Sequence, residues 1–151
     1  PVSAANAAGP QGLAFDDATG TLYVSDDANN TIYALAGAAT ATGPVQARVV
    51  ASGGPVNVPE NIAIDPSNGD LLVANAGDNT LTELDPATGR VVWSKVLDHG
   101  ASGALFGLAV APHGPRATAV FYDDDNTNNV YELVLPPSPN QARNERAHHM
   151  A

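Results

Sequence analysis

Three consecutive carboxylates head the run Asp123-Asp124-Asp125-Asn126-Thr127-Asn128-Asn129, the densest set of possible metal ligands in the sequence. Like charges this close repel one another unless water or a cation neutralises them. A hard-oxygen set suits calcium, although the run lacks the glycine and the downstream glutamate of an EF-hand loop. Two earlier runs share its character, Asp26-Asp27-Ala28-Asn29-Asn30 and Asn75-Ala76-Gly77-Asp78-Asn79. In those, Asp and Asn read first as turn residues, because their side chains accept backbone N–H bonds and tolerate the left-handed conformation. His99, in Leu97-Asp98-His99-Gly100-Ala101-Ser102-Gly103, is the imidazole best placed to act as a base or ligand. Asp98 beside it is a poor orienting partner, since adjacent side chains diverge. His113, His148 and His149 read as surface residues.

Little else in the sequence carries chemistry. It has no Gly-x-Ser-x-Gly elbow, no phosphate loop and no metalloprotease helix. It has no cysteine, which removes thiolate metal sites and cysteine nucleophiles. Sixteen acidic residues against six basic ones give a net charge of −10, so a nucleic-acid backbone would be repelled. No apolar run reaches the ~20 residues of a membrane span. An initial Pro1 without Met, and no basic or apolar leader after it, fit a processed or trimmed product. Abundant Ala, Gly and Asp with a single lysine point to a GC-rich bacterial source. The expected location is extracellular or periplasmic.

The elements that must position these groups follow from an internal repeat. An offset of 49 residues carries Pro10, Ala14, Asp16, Gly20, Leu22, Val24, Asn30, Thr31 and Leu35 onto Pro59, Ala63, Asp65, Gly69, Leu71, Val73, Asn79, Thr80 and Leu84. A third copy starts at an offset of 46, with Gly107-Leu108-Ala109-Val110-Ala111-Pro112 over Asn61-Ile62-Ala63-Ile64-Asp65-Pro66. It then returns to 49, with Asn128, Val130 and Leu133 over Asn79, Leu81 and Leu84.

Within each copy short apolar runs alternate with turn residues, and no helical period appears. The first copy predicts strands at Leu13-Ala14-Phe15, Leu22-Tyr23-Val24, Ile32-Tyr33-Ala34-Leu35 and Val49-Val50. The second predicts them at Ile62-Ala63-Ile64, Leu71-Leu72-Val73, Leu81-Thr82-Glu83-Leu84 and Val91-Val92-Trp93. Turns such as Asp16-Asp17-Ala18-Thr19-Gly20, Asp65-Pro66-Ser67-Asn68-Gly69 and Asp85-Pro86-Ala87-Thr88-Gly89 begin with Asp and end with Gly, the chemistry of hairpins. Four-stranded antiparallel units of ~40–50 residues are propeller blades. The expected fold is all-β: a β-propeller arc of three blades, half of a six-bladed ring.

Gly9-Pro10-Gln11-Gly12-Leu13-Ala14-Phe15-Asp16 and Gly20-Thr21-Leu22-Tyr23-Val24-Ser25-Asp26, closed by Asn29-Asn30-Thr31-Ile32, resemble the NHL and YVTN propeller repeats. Pro59-Glu60-Asn61-Ile62-Ala63-Ile64-Asp65 and Leu72-Val73-Ala74-Asn75 are similar. The resemblance covers about residues 9 to 135. Such propellers serve as interaction platforms, sugar-binding domains, lyases and lactonases alike. A more distant similarity to gluconolactonase and paraoxonase propellers implies a channel calcium held by residues just before the first strand of each blade. Here those are Gln11, Glu60 with Asn61, and Phe106, which departs from the pattern.

The blades are expected at 9–53, 54–99 and 100–135, the last without a fourth strand, because Pro136-Pro137-Ser138-Pro139 cannot continue a ladder. Residues 1–8 form a candidate ring-closing strand at Val2-Ser3-Ala4-Ala5, and 136–151 a Pro-rich exposed tail. Three blades leave two faces uncovered, so a second copy or further blades of a longer chain must complete the ring. The expected function is a non-catalytic binding module for a protein, glycan or small ligand. The alternative is a fragment of a calcium-dependent lactonase-like hydrolase or of a lyase. No cofactor is required, and calcium is the one cation the ligands suit, at Glu60 or at Asp123, Asp124 and Asp125. Gln11, Glu60, Asn61 and His99 are the expected ligand-binding residues.

Overall fold

A computed structural model of the chain describes residues 7–137. The first sheet is formed by β1 (Pro10–Asp16), β2 (Thr21–Asp26), β3 (Thr31–Ala36) and β4 (Arg48–Ser52). The second contains β5 (Pro59–Ile64), β6 (Leu71–Asn75), β7 (Thr80–Leu84) and β8 (Val91–Val96). The third contains β9 (Leu108–His113), β10 (Ala117–Asp124) and β11 (Asn129–Leu135). Each sheet is an antiparallel meander in chain order, four-stranded in the first two and three-stranded in the third. The first strands lie side by side, β1 against β5 and β5 against β9, so the sheets radiate as blades from a common inner edge. The protein is an all-β propeller arc. Among the described residues no helix is long and apolar enough to cross a membrane.

The turns explain why the chain folds back where it does. Asp16 Oδ1 accepts the Ala18 N–H at 2.9 Å, Asp65 Oδ1 that of Ser67 at 2.7 Å, and Asp85 Oδ1 that of Ala87 at 2.8 Å. Gly20, Gly69 and Gly89 close these turns at φ of 67°, 83° and 71°, a region that a Cβ disfavours. At the opposite end β1 and β5 both shift register, between Pro10 and Leu13 and between Pro59 and Asn61. A proline that cannot donate to the ladder favours such an irregularity.

Alternation along the strands builds the two seams between blades. In the first, Tyr23, Ile32, Ala34 and Val50 meet Ile62, Leu71, Val73 and Leu84, with Val56 between them. In the second, Leu72, Leu81, Trp93 and Leu97 meet Leu108, Val110, Val120, Leu133 and Leu135. Leu71 and Val73 therefore face one neighbour and Leu72 the other. A third cluster, Val24, Tyr33 and Leu35, lies on the outer face of the first blade under Ala38, Val45 and Ala47. The candidate closing strand at Val2–Ala5 and the tail beyond Pro137 lie outside the described residues.

Candidate functional site

The loops before each first strand and those joining second to third strands meet at one end of the arc, and most of their acidic and amide groups anchor backbone. Asp26, fully buried, accepts N–H bonds from Ala8 at 2.8 Å, Gly9 at 2.9 Å and Asn29 at 3.1 Å. Burial works to raise its carboxyl, but these donors outweigh it and hold the group below the usual carboxylate range. Asn75, also fully buried, accepts from Asn57 N–H at 3.0 Å and donates to Pro55 O at 3.1 Å. Each residue ties the incoming loop to its own blade.

Asn30 and Asn79 tie each blade to the next. Both stand in the left-handed region, at φ 50° and 53°. Asn30 Oδ1 accepts the Val58 N–H at 2.6 Å, and Asn79 Oδ1 that of Ala104 at 3.0 Å. Asn79 Nδ2 also donates to Asp98 Oδ1 at 3.1 Å and Ala101 O at 2.7 Å. The Asn30 bond pins Val58, itself at φ 50°. For a β-branched residue that conformation is strained by about 1–3 kcal/mol.

The three carboxylates of the acidic run are separated by the β10 pleat. Asp123 and Asp124 are strand residues, not loop residues, and point to opposite faces. Asp123 Oδ1 accepts from Phe106 N–H at 3.0 Å and Gly107 N–H at 2.6 Å. Asp124, 4% exposed, accepts from Asn126 and Thr127 N–H at 3.0 and 3.3 Å, while Asp125 is exposed. At the inner edge Glu60 lies beside Asp27, and burial, then that neighbouring charge, raises its carboxyl above the usual range. Gln11 Nε2 donates to Asp27 Oδ2 at 3.2 Å, and Asn61 Oδ1 accepts the Ile62 N–H at 2.8 Å. Phe106 is 42% exposed. With the Asn61 amide oxygen turned to backbone, this edge offers calcium chiefly two carboxylates, well short of the six to eight oxygens it takes. Among the described residues no three acidic or histidine side chains converge as a metal site. His99 is exposed, and Asp98 is committed to Asn79, Asn126 and Gly100.

The second acidic group, on the opposite side of the arc, was not legible in the sequence. Asp65 and Glu83 are 2% and 3% exposed. Asp65 accepts a short hydrogen bond from Thr118 Oγ1 of the third blade, and Glu83 Oε1 accepts one from Asn68 Nδ2 at 2.7 Å. They line a cavity of about 420 Å³ with Trp93, Lys95 and Leu133 to Pro137. Burial, then the Glu83 and Asp85 charges, pushes Asp70 up to about 6, and a hydrogen bond with Glu83 adds to the rise. Because the folded chain holds the Asp70 proton more tightly than the ordinary value of 3.8, this carboxyl favours folding at low pH and loses that contribution as pH rises from about 4 to about 6. Asp70→Asn, which keeps a donor and removes the charge, is expected to raise the melting temperature more at pH 7 than at pH 4. Equal shifts at both pH values in thermal unfolding would refute this.

No protein-family model matches the sequence, and no curated protein matches it. Solved structures do. A chain of the nidogen/laminin complex aligns with 85% of this chain and 44% of its own length, at 24% identity and a TM-score of 0.62. A gluconolactonase from Xanthomonas campestris aligns with 87% of this chain and 45% of its own length, at 18% identity and a TM-score of 0.56. This chain thus spans less than half the length of either, and the likeness is one of fold.

Proposed function

We propose that this chain is a non-catalytic binding module of the NHL/YVTN kind, part of a larger propeller, whose loop end takes a positively charged segment of a protein partner. The observation that carries this is the absence of basic residues from the loops at that end. The loops at that end, within 7–9, 27–30, 53–58, 76–79, 97–107 and 125–128, contain no lysine or arginine. They contain Asp27, Asp78, Asp98 and Asp125, with Glu60 just inside. Arg48, Arg90 and Arg116 instead sit at the turn end, among Asp16, Asp17, Asp65, Asp70 and Asp85, and Lys95 is the basic residue nearest the loops, one position before the end of β8. Among the described residues no nucleophile and base stand together on the loop end, which favours binding over the hydrolase or lyase alternative. A protein in the nidogen/laminin complex shares the fold, which is in keeping with a role in binding proteins. An extracellular or periplasmic bacterial setting suits such a module.

Fluorescence anisotropy with a labelled oligolysine peptide tests the reading. Binding is expected at low salt, to weaken steeply as salt rises, and to fall in the triple variant Asp27→Asn, Asp78→Asn and Asp125→Asn. Indifference to that variant, or turnover of a lactone on adding calcium, would overturn it.

A further inference from the structure

Each seam between blades opens into a cleft at the turn end, and the internal repeat makes the two clefts comparable. The first, of about 430 Å³, is lined by residues that include Asp16, Thr19, Tyr23, Ala34, Arg48 and Pro86. One repeat later Asp65, Asn68, Glu83 and Leu135, at the positions of Asp16, Thr19, Ala34 and Pro86, line the cavity of about 420 Å³ at the second seam. Strand register completes the match: Arg48 lies opposite Ala34, and Trp93 opposite Glu83.

The clefts share a place but not a chemistry. In the first a guanidinium is built in. Arg48 Nη2 reaches across from the first blade and donates to Pro86 O of the second at 2.9 Å. Burial, then the Asp16 charge, raises the Tyr23 hydroxyl, and Arg48 works against both. In the second cleft a carboxylate, Glu83, stands in place of Ala34, and an indole, Trp93, in place of Arg48. Burial raises the Glu83 carboxyl, and after it the groups that act most on it are the neutral donors Asn68 and Trp93 and the acids Asp65 and Asp70. No cation stands among these. Lys95, on the cavity wall, is exposed, and Arg116 lines a separate, smaller cleft with Pro66 and Ser67.

An acceptor is also left over. Ser67 N–H and Thr118 Oγ1 both donate to Asp65 Oδ1, and among the described residues no donor reaches Oδ2, although Asp65 is only 2% exposed. No side-chain oxygen among the described residues is sealed off without a partner, so Oδ2 opens onto the cavity that Asp65 lines. A carboxylate oxygen this buried is costly until a donor meets it.

We infer that the second cleft binds a guanidinium group carried on an apolar body, with Glu83 and Asp65 Oδ2 accepting its N–H bonds and Trp93, Leu133, Leu135 and Pro136 enclosing the body. The planar fork of guanidinium donors suits paired carboxylates, and an indole is the aromatic wall that best takes a cation. The volume is that of a small-molecule site. Such a group can come from a free compound or from an arginine side chain, as on Arg143 and Arg146, which follow Pro137 in the sequence. The inference is independent of what the loop end binds.

Trp93 is the one tryptophan of the chain, so its fluorescence reads the cleft directly. Titration of the full chain with benzylguanidine is expected to change that fluorescence to saturation, whereas benzylurea, with the same body and no charge, is expected not to. Glu83→Gln keeps the shape and removes the charge, and should weaken binding about 10-fold or more. The comparison of the two compounds on the parent chain needs no variant, so it decides the matter even where Glu83→Gln fails to fold. Saturation in the parent chain identifies a free compound as ligand, and saturation only after Arg143→Gln is combined with Arg146→Gln identifies the chain's own arginine as the occupant. No response in either chain, an equal response to benzylurea, or a folded Glu83→Gln chain that binds as the parent does would overturn the inference.

Discussion

Asn79→Ala is expected to destabilise the chain by about 3–4 kcal/mol in urea unfolding. The substitution removes the acceptor for the Ala104 N–H, and Ala104 is fully buried, so that donor is left without a partner. An unsatisfied buried donor costs about 1–3 kcal/mol. It also places alanine at φ 53°, where it lacks the polar side chain that eases asparagine into the left-handed region, a further cost of up to roughly 1 kcal/mol. Losing the Nδ2 bonds costs less, because Asp98 and Ala101 O also receive Asn126 Nδ2. Asn79→Gly relieves the backbone cost and should recover about 1 kcal/mol of it. Asn30→Ala removes one bond, to Val58, from a half-buried side chain and should cost about 2 kcal/mol. A loss below about 1 kcal/mol for Asn79→Ala would show that the tie between blades does not hold the second seam.

The same residue shows where sequence reading stops. Asn30, Asn79 and Asn128 were visible as a repeated loop position, and their left-handed conformation follows from the residue type. The bond from Asn30 to Val58 was not visible, because its partner is backbone 28 residues away and comes within reach only when blades pack. The strands were legible for the opposite reason. Apolar positions such as Leu22, Leu71 and Ile32, Leu81 recur at a fixed offset, and alternation alone assigns their faces. Asp65 reads as one more turn residue, and only the approach of Thr118 from another blade makes it a buried anchor. Glu83 lies between Thr82 and Leu84 in a strand, and nothing local marks it as buried or names Asn68 and Asp70 as its partners. The run from Asp123 to Asp125 misleads in the other direction. Adjacency in sequence looks like a ligand cluster, whereas the pleat of β10 sends its members apart.

Gly12→Ala is expected to cost about 2–3 kcal/mol, while Gly107→Ala, at the corresponding place in the third blade, should lie within about 1 kcal/mol of the parent chain. A Cβ on Gly12 would stand 2.7 Å from Asn61 Cα and 2.8 Å from Ile62 N, both backbone atoms of β5 in the next blade. Backbone cannot rotate away as a side chain can, so β1 and β5 would have to separate at the inner edge. That movement would also loosen the bond from Gly12 N–H to Ser25 Oγ, now 2.8 Å. On Gly107 the atoms nearest the added carbon belong to the Asp123 carboxylate, at 2.7 Å from Oδ2, and a side chain, even one held by the Phe106 and Gly107 N–H groups, shifts more readily than backbone. Alanine's smaller unfolded-state entropy then offsets part of the strain. Urea midpoints of the two variants decide it. Equal losses at both positions would mean that the blades are not held at backbone contact along the inner edge, whereas a large loss confined to Gly12 identifies the contact between β1 and β5 as the spacing that sets the angle between the first two blades.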